Sequence, residues 1–266
     1  MKLTDQTPEI HAVLSGAIKI IRILCILVEA YPILKSRTGY AKTHMLTFAR
    51  GKAELIHVVI RLEADPRMSR WLGNIATDRL STVRSDAKQY AGVIVPGLYR
   101  FAHLDAASIK VLVEDLLDND NYIYAVSLIT GKPDDTQPFR HPAITKMLKD
   151  QWFTGNFATQ NAEYFKASRE KYPDQFEAPD PPLAMAANAI LAVLTEYQLT
   201  GKRQNIKFTE AAYEDSYRHH PAHLAEMHND APTTTARLLH EVYEDCHERQ
   251  NHRCQHQIPC PAYRGP

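Results

Sequence analysis

The chain has 266 residues, 44% hydrophobic and 23% charged, which is enough for one domain with a sizeable core. Lys plus Arg and Asp plus Glu balance at 31 each, so the overall charge does not favour a binder of nucleic-acid backbone, which usually carries a basic excess. MKLTDQTPEI places Asp5, Pro8 and Glu9 where a secretory leader needs an apolar run, so an intracellular, reducing setting is expected, one that disfavours disulfides.

In chain order, AVLSGAIKIIRILCILVEAY is apolar enough to suggest a membrane span, but it contains Lys19, Arg22 and Glu29. At roughly 100° per residue these charges share one stripe with His11 and Ser15. The segment therefore reads as a helix buried on most sides, with no membrane expected, and Pro32 ends it by Tyr31. A second helical run spans about 41–62. Asp65-Pro66 reads as a cap and a first-turn proline. RMSRWLGNI then reads as a short helix, and TDRLSTVRSDAKQYAGVIV as a longer one that Pro96-Gly97 should end or kink.

SIKVLVEDLL is the next helix. NYIYAVSL is a short apolar run that fits either strand or helix. TGKPDDTQP is a loop, and HPAITKMLKDQWF a helix with a proline near its start. Thr154 to Pro182 reads as a long connection with one helix at 160–171. LAMAANAILAVLTEYQLTG is bounded by prolines and by Gly201 and is apolar almost all round, so it should be central. Its Asn188 must find a hydrogen-bond partner. Thr209 starts another helix, with Phe208 and Tyr213 at the positions of a hydrophobic staple. The last helix runs from Pro232 to about His247. No period repeats, and the fold class is mainly α: a single helical domain over 10–248 with little or no sheet, followed by a tail over 249–266.

Several stretches in this order resemble a helical domain family of unknown function that is abundant in basidiomycete fungi. They are Arg79-Leu-Ser81-x-Val83-Arg84-x-x-x-Lys88 with Tyr99, Phe139-Arg140-His141-Pro142-x-Ile144 with Trp152-Phe153, and Phe176-x-x-Pro179-x-Pro181 with Leu183-Ala184. Gly201-x-Arg203-x-x-Ile206-x-Phe208 and Tyr213-x-x-x-Tyr217-x-x-His220-x-x-x-Leu224 complete the set. The likeness runs from about residue 10 to 245. It implies an all-helical fold and a fungal source, and no activity. The tail lies outside it.

That tail raises the question of metal. The stretch from Cys246 to Cys260 holds three of the four cysteines. Cys246 falls on the apolar stripe of the last helix with Leu239, Val242 and Tyr243. His252, Cys254, His256 and Cys260 are left as candidate zinc ligands, at a spacing that matches no familiar zinc module, and a flexible polar tail is the plainer reading.

Elsewhere, Arg79, Arg84 and Lys88 on one helix are candidate contacts for a phosphate or carboxylate, or else partners of internal acids such as Asp78, Asp86 or Glu114. Arg140 and His141 form a second candidate ligand-binding pair, in which His141 either caps a helix or titrates near neutral pH. His219 and His223 share a helical face, with Pro221 between them. Glu114, Asp115 and Asp118 loosely match the acidic motif by which helical terpene cyclases hold Mg²⁺ against a diphosphate; the second such motif, at Asn229-Asp230-x-x-Thr233, is only partial.

Phosphate-binding glycine loops, G-x-S-x-G and H-E-x-x-H are absent from the sequence. The favoured expectation is a non-enzymatic interaction module with an unidentified protein partner and no cofactor. The alternatives are a Mg²⁺-dependent helical-pocket enzyme and a nucleic-acid-associated protein.

Overall fold

Two long helices organise the computed structural model, which describes residues 6–32, 37–127, 130–168 and 173–255, side chains at 37, 38 and 248–255 excepted. In chain order the helices are α1 (Pro8–Leu27), α2 (Arg37–Arg50), α3 (Ile56–Ala64), α4 (Pro66–Leu98) and α5 (Ala106–Leu117). They continue as α6 (Pro142–Met147), α7 (Phe157–Gln160), α8 (Asp180–Gln198), α9 (Glu210–Asp230) and α10 (Pro232–Gln255). Among the described residues there is no sheet, only an isolated antiparallel bridge between Val126 and Pro133. The mainly α class holds.

Helix α8 is the centre. It begins on Pro181 and Pro182, whose fixed φ suits a first turn, and 13 of its 19 residues are buried. It packs on α4, α5, α6, α9 and α1, while α4 in turn carries α1, α2 and α3. α10 reaches the core through α9 and α6. Asn188, fully buried, donates from Nδ2 to the Tyr31 hydroxyl at 3.0 Å and to the Tyr213 carbonyl at 3.2 Å. Its amide thus ties α8 to α9 and to the chain following α1.

α4 is one helix of 33 residues where the pattern suggests two. Asp65 caps it by accepting from the amides of Arg67 and Met68 at 2.9 and 3.0 Å. No breaker stands at the expected joint, and the Thr77 hydroxyl bonds back to the Gly73 carbonyl inside the helix. Pro96 ends it within two residues, as expected. Conversely, the run expected over 41–62 is divided by Gly51 and a 3₁₀ turn at Ala53–Leu55 into α2 and α3.

The described part of NYIYAVSL, residues 121–127, is neither strand nor α-helix: a 3₁₀ segment, Asp118–Ile123, bends through Asn119 and Asp120 at φ 49° and 56°. These residue types tolerate the left-handed region. After α6 the chain widens into one π turn, Leu148–Trp152, closed by the Phe153 amide on the Leu148 carbonyl at 2.8 Å. Over the described part of the helix expected at 160–171 there is instead the end of the short α7 and a 3₁₀ turn at Ala162–Tyr164, and 169–171 lie outside the described residues. The staple forms, with the Phe208 and Tyr213 rings 4.8 Å apart.

α1 is long and apolar enough to cross a membrane by length and composition. Here its buried residues, including Val13, Leu14, Ala17 and Ile21, join the core, and Lys19 and Arg22 lie on its exposed stripe.

Gly201 follows α8 at φ 65°, and a Cβ there would lie 1.7 Å from the Ala106 carbonyl oxygen. Both the conformation and the space require glycine. Gly201→Ala should lower the unfolding free energy by about 2–4 kcal/mol in urea denaturation. A loss under about 0.5 kcal/mol, the range of ordinary surface changes, would contradict this packing.

Candidate functional site

The cations that the sequence brings forward on α4 are largely committed to the fold. Arg84 is buried. It donates from Nη1 to the Ala30 carbonyl at 2.8 Å, lies 3.2 Å from Glu210 through Nη2, and covers the Tyr31 ring at 4.5 Å. Lys88, also buried, lies 2.6 Å from Glu196 and donates to the Ile206 carbonyl. Glu196 is 1% exposed and receives two further groups, Arg203 Nε at 2.7 Å and the Ile206 amide at 3.2 Å. Arg203 also reaches the Gly92 carbonyl at 3.3 Å, and a side chain at Gly92 would strike its guanidinium.

The expected partners Asp78, Asp86 and Glu114 are not used. All three are exposed, and a buried cation gains most from a carboxylate that is buried with it. Glu196 was nonetheless visible in the sequence as the one acid inside α8 beyond its first turn. Of the α4 trio, Arg79 alone is exposed.

His141 is a buried cap. The Ala143 amide donates to its Nδ1 at 3.2 Å, and its ring stacks on Tyr99 with centroids 4.1 Å apart. Burial lowers its pKa to about 4, which suits a nitrogen that must accept. His220 is buried too, hydrogen-bonded at 2.9 Å to the Tyr122 hydroxyl and set edge-on to Phe139. Burial likewise lowers it to about 4, opposed by the nearby Asp120 carboxylate and assisted by His219 and His223. Phe139 itself is fully buried with φ 57°. Arg140 lies 3.0 Å from Asp245 and 3.9 Å from Glu241 on α10.

The three acids named for magnesium do not converge on one point. Glu114 and Asp115 are exposed on α5 and Asp118 on the turn after it. Glu114 faces Lys110 at 3.8 Å, and Asp118 accepts from the Asn119 side chain. The carboxylates thus turn to different neighbours, and no group of three His, Cys, Asp or Glu side chains among the described residues is placed to hold a metal. Arg84 and Lys88, the phosphate contacts that reading needs, are held by Glu210 and Glu196.

His219 pairs with Asp120 at 2.7 Å, while His223 lies against Phe139, so the two do not form a metal pair. In the tail, His252 and Cys254 fall on the helical end of α10, whose side chains are not described, and His256 and Cys260 lie outside the described residues. Cys246 is buried against the Thr145 carbonyl, and burial pushes its thiol up to about 12.

What the sequence did not single out is a groove between α1, α4 and the segment 151–161. A cavity of about 570 Å³ has Ile18, Ile23, Val83, Trp152 and Phe157 as its apolar wall. Lys19, Arg22, Asp86, Gln151, Asn156 and Gln160 supply polar groups. A second cavity, of about 280 Å³, shares Ser15, Ile18 and Arg22 and adds Arg79 and Thr82. The three cations Lys19, Arg22 and Arg79 are exposed and have no ion-pair partner among the described residues. The signal available in sequence was the charged stripe on α1, which was read only as the wet side of a core helix.

With the fold and these side chains in place, the chain defines a mainly helical domain in which Arg84 and Lys88 are paired with Glu210 and Glu196. The chain belongs to the family described as a domain of unknown function (DUF6532), matched over residues 16–227. No curated protein and no solved structure matches it significantly.

Two predictions follow from this geometry. Glu196→Ala strips the buried Lys88 of its counter-ion and should cost roughly 3–5 kcal/mol in urea denaturation, and Lys88→Met combined with Glu196→Leu should recover part of it. A single variant within about 1 kcal/mol of the parent would contradict the assignment.

His141 and His220 bind protons in the unfolded chain below pH 6.5 but in the fold only near pH 4. Stability therefore rises with pH across that window and is flat, for these groups, above it. Roughly 3 kcal/mol per histidine should be lost on acidification to about pH 4. Urea midpoints for the parent and for His220→Gln should keep a constant separation above pH 6.5 and converge between pH 6.5 and 4; a separation that stays constant down to pH 4 would count against a neutral, buried His220.

Proposed function

We propose that this chain is a non-enzymatic interaction module acting inside the cell, and that the groove between α1, α4 and residues 151–161 receives an acidic protein segment bearing an apolar side chain. The observation that carries the reading is the set Lys19, Arg22 and Arg79, exposed without ion-pair partners among the described residues and set beside an apolar wall. Three cations face one lining carboxylate, Asp86, so the groove carries a positive surplus of two charges (3 − 1) and complements an anion. A volume of about 570 Å³ suits one or two bulky side chains. The largely buried Trp152 forms part of the groove's apolar floor. The motifs shared with basidiomycete domains support a fungal origin.

The test is a titration with a fluorescein-labelled peptide of alternating Glu and Leu or Phe, read by anisotropy. Binding should weaken with salt. The double variant Lys19→Glu, Arg22→Glu, altered only at exposed positions, should bind at least tenfold more weakly. Equal affinity for parent and variant would overturn the proposal. So would selective binding of duplex DNA or anionic vesicles in place of the peptide.

A further inference from the structure

A second cavity, of about 550 Å³, lies where α4, α6, the π turn and α10 meet, and nothing in the interaction reading uses it. Its wall includes Arg140, Thr145, Lys146, Lys149, Asp150 and Asp245. Two of the acids are already engaged. Asp150 accepts from Lys146 at 2.6 Å and from the Tyr90 hydroxyl. Asp245 lies 3.0 Å from Arg140 Nη1, but off the line of its N–H bonds, so that buried nitrogen has no hydrogen-bond acceptor.

Lys149 is the sharper case. Its ammonium is buried, makes no hydrogen bond, and has no carboxylate within ion-pair distance among the described residues. An unpaired ammonium removed from water is costly, and natural folds keep such a group when something satisfies it. Three cations against two carboxylates give the wall a surplus of one positive charge (3 − 2).

We propose that this cavity binds a tetrahedral oxyanion, a phosphate or phosphomonoester, held by the Arg140 guanidinium and the Lys149 ammonium, with the Thr145 hydroxyl at its edge. The chemistry fits. A phosphate offers strong acceptors to the Lys149 ammonium, which makes no hydrogen bond, and to Arg140 Nη1, whose Asp245 contact is an ion pair without a hydrogen bond, and Arg presents a planar fork. The π turn explains how the site is built. It carries Lys149 and Asp150 and widens the helix between α6 and Phe153. The two acids limit the positive field, so the cavity should favour an anion that also accepts hydrogen bonds over chloride.

Differential scanning calorimetry with inorganic phosphate tests this, against sodium chloride at equal ionic strength. The melting temperature should rise by about 2–4 °C when phosphate is several times its dissociation constant. Lys149→Met should keep or raise the melting temperature without ligand, because it removes an unpaired buried charge, and should abolish the phosphate-dependent shift. O-phosphoserine in place of phosphate separates the sources: a comparable shift means that the site takes a phosphomonoester, and no shift confines it to the free anion. An equal phosphate shift in parent and Lys149→Met, or none beyond that of chloride in the parent, would overturn the proposal. Should Lys149→Met fail to fold, Arg140→Leu read by isothermal titration replaces it, with at least a tenfold loss of phosphate affinity expected and unchanged affinity counting against the site.

Discussion

A carboxylate buried to 1% exposure in the last turn of an apolar helix constrains its whole neighbourhood. Glu196 must be met by enough donors to offset the loss of water. Lys88 comes from α4, while Arg203 and the Ile206 amide come from the segment leading to α9. Three parts of the chain thereby acquire one relative position. The glycines follow from it: Gly201 lets the chain turn back against Ala106, and Gly92 leaves room for Arg203 to cross α4. One turn earlier on α4, Arg84 repeats the arrangement with Glu210 and the Ala30 carbonyl, drawing in the first turn of α9 and the end of the α1 region. The network is laid against α8, the most buried helix, so its geometry is imposed on both long helices at once.

This accounting divides the positive charge into two populations. Arg84 and Lys88 are inside, with acids of their own. Lys19, Arg22 and Arg79 are outside and face an apolar wall without such acids. A buried or partly buried acid within reach separates Arg84 and Lys88 from the exposed Lys19, Arg22 and Arg79. Arg140 falls between them: it touches carboxylates, yet one of its nitrogens still lacks an acceptor.

The helical class, the central place of α8 and the need of Asn188 for partners were legible because each follows from local pattern: apolar coverage around a helix, prolines before it, a polar side chain with nowhere to go. The staple at Phe208 and Tyr213 was legible for the same reason. The single length of α4 was not, since nothing local shows that Gly73 and Thr77 can be carried by packing on both sides. The π turn was also hidden; its extra residue leaves no compositional mark. Arg84 and Lys88 stand out in the sequence as cations on one helix, but their partners Glu210 and Glu196 lie more than a hundred residues away, beyond any periodicity argument. The groove was missed because its cations come from two helices far apart in sequence and its aromatic wall from a third segment.

The π turn at Leu148–Trp152 has a consequence for register. It inserts one residue more than an α-helical turn would hold, and each residue advances a helix by about 100°. Gln151 and Trp152 therefore face the α1 groove while Lys149 and Asp150 face the opposite hollow. A one-residue deletion here would restore ordinary winding and swing the following side chains about a quarter-turn. The groove would lose Gln151 and Trp152 from its wall, whereas Arg140, Thr145 and Lys146 of the other hollow precede the turn and would keep their places. The surplus residue thus sets the winding of one face and leaves the α6 wall of the other untouched.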